Sequence, residues 1–133
     1  MVKEIRMLKD AQEKRVLIVD DDEAITIPFQ KVLQNSGFSV DTASTGQQAL
    51  EITEKSVYHL LILDINLPDM KGYEVAKTVR EKDNDINLII ITSESDFNDA
   101  LNAIDLGIDE ILFKPIGVDE VIHIAERMLK LKA

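Results

Sequence analysis

The sequence contains no cysteine, which removes both a disulfide framework and any thiolate metal site. Long apolar runs are also missing. Segments such as Leu60 to Leu63 and Leu88 to Ile91 fall far short of the ~20 residues that a membrane-spanning helix needs. The N-terminal stretch VKEIRMLKDAQEKR is charged throughout and lacks the apolar centre of a signal peptide. Basic residues are in deficit, 15 against 25 acidic ones, for a net charge of −10. Affinity for phosphate backbones comes mainly from clustered Lys and Arg, so direct binding to nucleic acid is not expected. Together these absences predict a soluble, cytoplasmic protein with neither a nucleic-acid nor a membrane partner.

What is present fits one globular domain. The 133 residues, 45% hydrophobic and 30% charged, leave no room for a second domain of ordinary size. Short apolar runs alternate with segments of helical period, the pattern of an α/β protein with a parallel sheet. Strands are predicted at Val16 to Val19, Phe38 to Thr42, Tyr58 to Leu63, Leu88 to Ile91 and Ile108 to Phe113. The first helix is expected from about Ala24 to Gln34, stopping at Asn35-Ser36-Gly37, with Pro28 at the end of its first turn where a missing N–H costs little.

Thr45 and Gln48 resemble a capping box before a second helix, and a third runs to about Glu81. A fourth would carry Phe97, Ala100, Leu101 and Ile104 on one side and end at Gly107. The fifth shows the clearest stripe, Val118, Val121, Ile122, Ala125 and Leu129. Residues 1 to 13 precede the first strand as a tail or short helix, leaving 14 to 133 as the domain.

Ligands of open parallel sheets bind outside the carboxyl ends of the strands. The polar residues there are Asp20, Asp21 and Asp22 after strand 1, Asp64 and Asn66 after strand 3, Thr92 and Ser93 after strand 4, and Lys114 after strand 5. Two unit charges ~4 Å apart repel by about 4 kcal/mol at an effective dielectric near 20. Converging carboxylates therefore tend to take up a proton or hold a cation. Oxygen-only ligands, with no His or Cys, suit a hard ion such as Mg²⁺ or Mn²⁺. A hydroxyl and an ammonium on the other side would complete a phosphoryl site with a carboxylate nucleophile. Each residue alone has a plainer explanation: an Asp run caps helices, a Thr forms turns, and a Lys before Pro lies on the surface. Their joint occurrence at four strand ends is much rarer.

The stretches VLIVDDDEA (16–24), LLILDINLPDMKGYE (60–74), LIIIT (88–92) and LFKP (112–115) resemble, in order and spacing, the receiver domains of response regulators, including the chemotaxis type. The resemblance covers about residues 15 to 131. It implies a flavodoxin-like, doubly wound five-stranded sheet of order 2-1-3-4-5 with five helices. It also implies two-component signalling, in which Asp64 accepts phosphate from the phosphohistidine of a sensor histidine kinase or a histidine phosphotransfer protein. Asp20 and Asp21 would be the acidic pair that holds Mg²⁺ with Asp64 and the main-chain carbonyl of Asn66. Thr92 and Lys114 would contact the phosphoryl oxygens, and the Lys114-Pro115 bond would be cis. Output would pass through the face of the fourth helix, fifth strand and fifth helix, which includes Phe97, Ile111 and Asp119. The partner there is open: a downstream protein, an effector domain or a second copy of the chain. Whether the chain stands alone or is a piece of a larger regulator or hybrid kinase is open as well.

Three positions depart from the family pattern. Ile111 stands where a switching Tyr or Phe is usual, Ser93 where a small Ala or Gly is common, and His59 where strand 3 often begins with Asp. His59 and His123 read as strand-end and helix residues outside the chemistry. Asn66 and Glu94 lie two residues beyond Asp64 and Thr92, where an amide and a carboxylate could orient an attacking water, so fairly rapid self-dephosphorylation is expected.

Three rival readings follow. A Mg²⁺-dependent phosphatase of the haloacid dehalogenase type would need an Asp where Asn66 stands. A nucleotide or flavin binder would need Gly-rich or hydroxyl-rich backbone where the three aspartates lie. A degenerate receiver, used only for docking, is disfavoured by the intact acceptor, acidic pair, Thr and Lys, although Ile111 keeps it open.

Overall fold

The computed structural model describes residues 14–96, 98, 101 and 105–129. Its elements are β1 (Arg15–Val19), α1 (Glu23–Asn35), β2 (Ser39–Ala43), α2 (Gly46–Lys55), β3 (Leu60–Asp64), α3 (Gly72–Lys82), β4 (Asn87–Thr92), a 3-10 turn (Glu94–Asp96), β5 (Glu110–Phe113) and α4 (Val118–Met128). The strands pair in parallel in the order β2-β1-β3-β4-β5. This is the doubly wound, flavodoxin-like α/β fold.

The near-continuous apolar strands follow from burial on both faces, as parallel sheets require. Alternate residues Val16, Ile18, Leu60, Ile62, Ile89 and Ile91 face α1 and α4, meeting Phe29, Leu33, Val121 and Ala125. The intervening Leu17, Val19, Leu61, Leu63, Leu88 and Ile90 face α2 and α3, meeting Ala49, Val75, Ala76 and Val79. Each such Leu or Ile, fully buried, contributes about 1.5–3 kcal/mol.

Helix ends follow local chemistry. Asp22 Oδ1 accepts the Ala24 N–H at 2.9 Å and starts α1. Gly37, with φ of 100°, ends it: its N–H reaches the Gln34 carbonyl and Phe38 N–H reaches that of Leu33. At α2, Thr45 Oγ1 accepts the Gln48 N–H at 3.1 Å, while Gln48 Oε1 reaches back to the Ser44 N–H, one residue before the cap.

Strand ends at β1, β2 and β4 differ by one residue from the sequence expectations, and four further differences stand out. Helix α1 starts at Glu23, which puts Pro28 at the sixth helical position rather than in the first turn. There the carbonyl of Ala24 loses its usual donor, and the exposure of Ala24 leaves that carbonyl to solvent. Strand β3 begins at Leu60 rather than Tyr58 and ends on Asp64 itself. Strand β5 is limited to Glu110–Phe113, because its ladder with β4 begins at the Ile89–Glu110 pair. Among the described residues there are four α-helices rather than five. Most of the expected fourth helix, with Phe97, Ala100 and Ile104, lies outside the described residues, as do residues 1–13. No helix among those described is long and apolar enough to cross a membrane.

Candidate functional site

The parallel register brings the candidate residues together. Val19 pairs with Leu63, so the next residues, Asp20 and Asp64, leave the neighbouring strands β1 and β3 side by side. Thr92 ends β4 and pairs with Phe113 of β5, so Lys114 follows at the same edge, its N–H bonded to the Thr92 carbonyl at 2.8 Å. Asp20 N–H is held by the Ala43 carbonyl at 3.0 Å, which fixes the first residue of the acidic run to β2. Asp20, Asp64 and Thr92 are all buried, while Asp21 is exposed.

The electrostatics are unbalanced. One carboxylate oxygen from each of Asp20, Asp21 and Asp64 lies within 4.8 Å of the others. Lys114 Nζ sits between two of them, 3.5 Å from Asp64 Oδ2 and 3.6 Å from Asp20 Oδ2. Asp64 Oδ1 accepts the Asn66 N–H at 3.3 Å and Asp20 Oδ1 that of Asp22 at 2.9 Å. Burial, and then the charge of Asp20, pushes the Asp64 carboxyl up to about 6, against the pull of Lys114. Burial raises Asp20 too, with the Asp22 N–H and Lys114 opposing. Burial would lower Lys114, but the charges of Asp64 and Asp20 outweigh it and raise its pKa.

This donor set fits a hard cation. It is made of oxygens only, and the buried Asp20 Oδ2 has no hydrogen bond, its Lys114 contact being an ion pair beyond hydrogen-bond length. Asp20 and Asp21 also open onto a cleft of about 200 Å³ that Glu23, Thr26 and Gln48 help to line, leaving room for water around a bound ion.

The loop after Asp64 is tied to the start of α2, and that fastener was not foreseen from sequence. Asp69, fully exposed, accepts the N–H groups of Gly46 and Gln47 with its two oxygens at 2.8 and 2.9 Å. It thereby caps α2 from the acceptor loop, and those two N–H groups hold its carboxyl below the usual range. Asn66 pairs with Lys71 across the loop, and Gly72 N–H bonds the Ile65 carbonyl. Two glycines permit this packing. A Cβ on Gly72 would stand 2.2 Å from the Asp64 carbonyl oxygen, and one on Gly46 2.4 Å from Met70 Cγ. A Pro-Asp-Met-Lys-Gly loop with a helix start some twenty residues earlier was the only sequence signal.

Thr92 Oγ1 donates to the Ser93 carbonyl at 3.1 Å, and the half-buried Ser93 hydroxyl donates to Asp96. Ile111 packs partly buried against the core on the α2/α3 side. The Lys114-Pro115 bond is cis. Glu94 opens the 3-10 turn, but its side chain lies outside the described atoms. His59 is at the opposite edge of the sheet, its Nδ1 accepting the Arg15 N–H at 3.0 Å. His123 and Asp119 are exposed on α4.

Comparison with known proteins agrees with this geometry. The chain is 38% identical over 108 residues to the transcriptional regulatory protein DltR of Streptococcus agalactiae, covering 81% of this chain and 48% of that protein. It is 32% identical over 108 residues to the cell cycle response regulator CtrA of Brucella ovis, covering 81% and 47%. The chain therefore spans about half the length of the curated relatives it matches. Among solved structures, a CheY-like receiver domain protein from Methanospirillum hungatei superposes with a TM-score of 0.84 at 28% identity, covering 88% of this chain and 94% of that one. The BeF3-activated receiver domain of DrrB gives 0.79 at 27% identity, covering 88% and 97%. The family model of the response regulator receiver domain matches residues 16–126, and the chain belongs to that family.

Proposed function

We propose that this chain is a phosphoacceptor switch of a two-component system, with residues 14–133 as the receiver and Asp64 as the residue that takes the phosphoryl group. The supporting observation is the Asp64 carboxylate at the end of the central strand, clustered with Asp20 and Asp21 and 3.5 Å from Lys114 Nζ. The donor would be the phosphohistidine of a sensor histidine kinase or a histidine phosphotransfer protein. An Asp64 carboxylate oxygen attacks phosphorus, and the new O–P bond forms as the N–P bond to the imidazole breaks. The imidazole nitrogen leaves with the bonding pair and takes a proton from solvent.

Such transfer depends on positioning and charge neutralisation. Lys114, already facing Asp64, pairs with a phosphoryl oxygen. Thr92, once its hydroxyl leaves the Ser93 carbonyl, donates to another. Asp20, Asp21, Asp64 and the Asn66 carbonyl would hold Mg²⁺ or Mn²⁺, which supplies positive charge beside the phosphoryl oxygens. On this reading the chain catalyses only its own phosphorylation and dephosphorylation, in the cytoplasm.

Output would leave through the face that includes β5 and α4, where Phe113 and Val118 are exposed, toward a downstream protein, an effector domain or a second copy. With Ile111 packed on the core there is no aromatic ring at that position to rotate, so the signal must travel by another route.

Incubation with acetyl phosphate and Mg²⁺ followed by intact mass analysis tests the proposal. Wild type gains one phosphoryl group, Asp64→Asn gains none, and a chelator abolishes the gain. An unmodified wild type would overturn the assignment.

A further inference from the structure

The end of the domain opposite Asp64 carries a groove. Two hollows of about 370 and 200 Å³ share Val57, Tyr58, Asp83 and Ile86, and so adjoin one another. The larger reaches Met128 and Leu129 at the end of α4, and the smaller reaches Thr53 of α2 and Val79 of α3. Val57 belongs to both hollows and is 68% exposed, the greatest exposure of any large hydrophobic residue among those described. An apolar side chain left open over a hollow is a place where a second apolar surface gains by covering it.

The chain itself brings such a surface to the rim. Lys14 lines the larger hollow, and its carbonyl accepts the Ser39 N–H at 3.1 Å, so the segment before β1 is anchored beside the groove. That segment, outside the described residues, reads MVKEIRMLKDAQE. Wound as a helix, it carries Met1, Ile5 and Leu8 on one face, at i, i+4, i+7 spacing, with Arg6 and Lys9 along one border. A rise of ~1.5 Å per residue puts Leu8 ~9 Å and Ile5 ~14 Å from Lys14, comparable to the span of two adjoining hollows of these volumes.

Charge agrees with this occupant. Asp83 and Asp85 stand on the rim, whereas Lys82, beside the smaller hollow, is paired with Glu54 at 3.0 Å. Arg6 and Lys9 bring the opposite sign. A second copy of the chain, with a net charge of −10, approaches against mutual repulsion, while a segment tethered at the rim competes at a high effective concentration.

We propose that residues 1–13 fold back as an amphipathic helix and seal this groove, with Ile5 and Leu8 over Val57 and with Arg6 and Lys9 toward Asp83 and Asp85. The docking needs no phosphoryl chemistry and stands apart from the role given to Asp64.

The chain contains no cysteine, so an introduced pair reports without background. In the full chain, at low concentration with a mild oxidant, Leu8→Cys together with Val57→Cys closes a disulfide within one molecule, read by intact mass as the loss of two hydrogens. Asp10→Cys with Val57→Cys is the control, because residue 10 falls on the opposite helix face but is tethered as closely. The Leu8 pair closes several-fold faster than the control. Ile5→Asp slows the Leu8 pair about tenfold, the effect of losing one buried apolar side chain. Ile5→Cys with Val57→Cys serves in place of the Leu8 pair if Leu8→Cys itself loosens the helix, and Leu8→Asp then takes the part of Ile5→Asp. Equal closure by the apolar-face pairs and the Asp10 pair would mean that the segment passes the groove without docking, and overturns the proposal. So does a disulfide found only between two chains, which would give the groove to a second copy.

Discussion

The two edges of the sheet are built from the same strands and treat charge in opposite ways. At the amino edge, Arg15 meets Asp41 Oδ2 at 3.1 Å and lies 4.8 Å from the centre of the Tyr58 ring. Tyr58 Oη donates to the same Asp41 oxygen at 2.5 Å, and the Arg15 and His59 backbone and ring groups bond each other twice. Every charge named there has a partner of opposite sign. At the carboxyl edge, three carboxylates cluster beside one lysine that reaches two of them, and Asp20 Oδ2 is buried without a hydrogen bond. A cleft of about 370 Å³, larger than the one beside the aspartates, opens at the amino edge between residues such as Tyr58, His59 and Asn87. Cavity size therefore does not single out the proposed site. Uncompensated charge does, because a group that only held the fold together would have been given its partner.

If that contrast is real, mutations at the two edges change stability with opposite sign. The largest effect is expected from Asp64→Asn. The Asp64 carboxyl binds its proton more tightly in the folded chain, at about 6, than at its ordinary 3.8. Between those values the folded state holds more protons than the unfolded one, so stability falls as pH rises. An amide mimics the protonated acid and escapes this loss. Without divalent cations, Asp64→Asn should be more stable than wild type by about 2–3 kcal/mol at pH 7, with the difference closing near pH 4. Urea unfolding in the presence of a chelator across that range measures it. An Asn variant less stable than wild type at pH 7 would remove the distinction between the edges.

How much of this was legible in the sequence depended on distance along the chain. The strands showed as apolar runs because both faces are buried, and Asp20, Asp64, Thr92 and Lys114 could be gathered because each directly follows or ends such a run. The trio of Arg15, Asp41 and Tyr58 was not legible. Its members come from three segments, and their meeting depends on register, Arg15 pairing with Ser39 and Val16 with Leu60. Asp69 escaped for a similar reason: it looked like a turn residue after proline, and its real task is to cap a helix that starts 23 residues earlier. His59 was read as strand-end packing, whereas its ring nitrogen substitutes for a backbone acceptor and continues the β1–β3 ladder by one bond. Pattern reports which way a side chain faces, and long-range polar partners need the register as well.

The amino edge should respond next in size. Tyr58→Phe keeps the ring beneath Arg15 but removes a donor from Asp41, a bond between a phenol and a carboxylate. Loss of about 1.5 kcal/mol is expected, in line with hydrogen bonds to charged groups. The same bond, after burial, is why the Tyr58 phenol is pushed up to about 12, so the wild-type stability advantage over Phe should fade as pH climbs from 10 toward 12. Chemical unfolding at neutral pH and near pH 11 checks both parts, and a neutral-pH change close to zero would mean that this edge is not held by its polar contacts.

The smallest effect sets the two edges directly against each other. The His59 imidazole is held below its usual 6.5, first by burial and then by the charges of Lys14 and Arg15, with Asp83 opposing. Once protonated, Nδ1 can no longer accept the Arg15 N–H. As pH falls through 6.5 the unfolded chain takes up the proton first, so the stability His59 contributes above that pH is lost on acidification. Asp64 does the reverse, adding stability as pH falls from about 6. In wild type the two partly cancel over the interval where both titrate. His59→Gln should therefore gain stability more steeply than wild type between pH 7 and pH 5 in the presence of a chelator. Asp64→Asn, left with the His59 contribution, should decline over the same interval. Parallel curves for wild type and His59→Gln would show that the imidazole is not coupled to folding, and the opposition between the edges would then rest on Asp64 and Tyr58 alone.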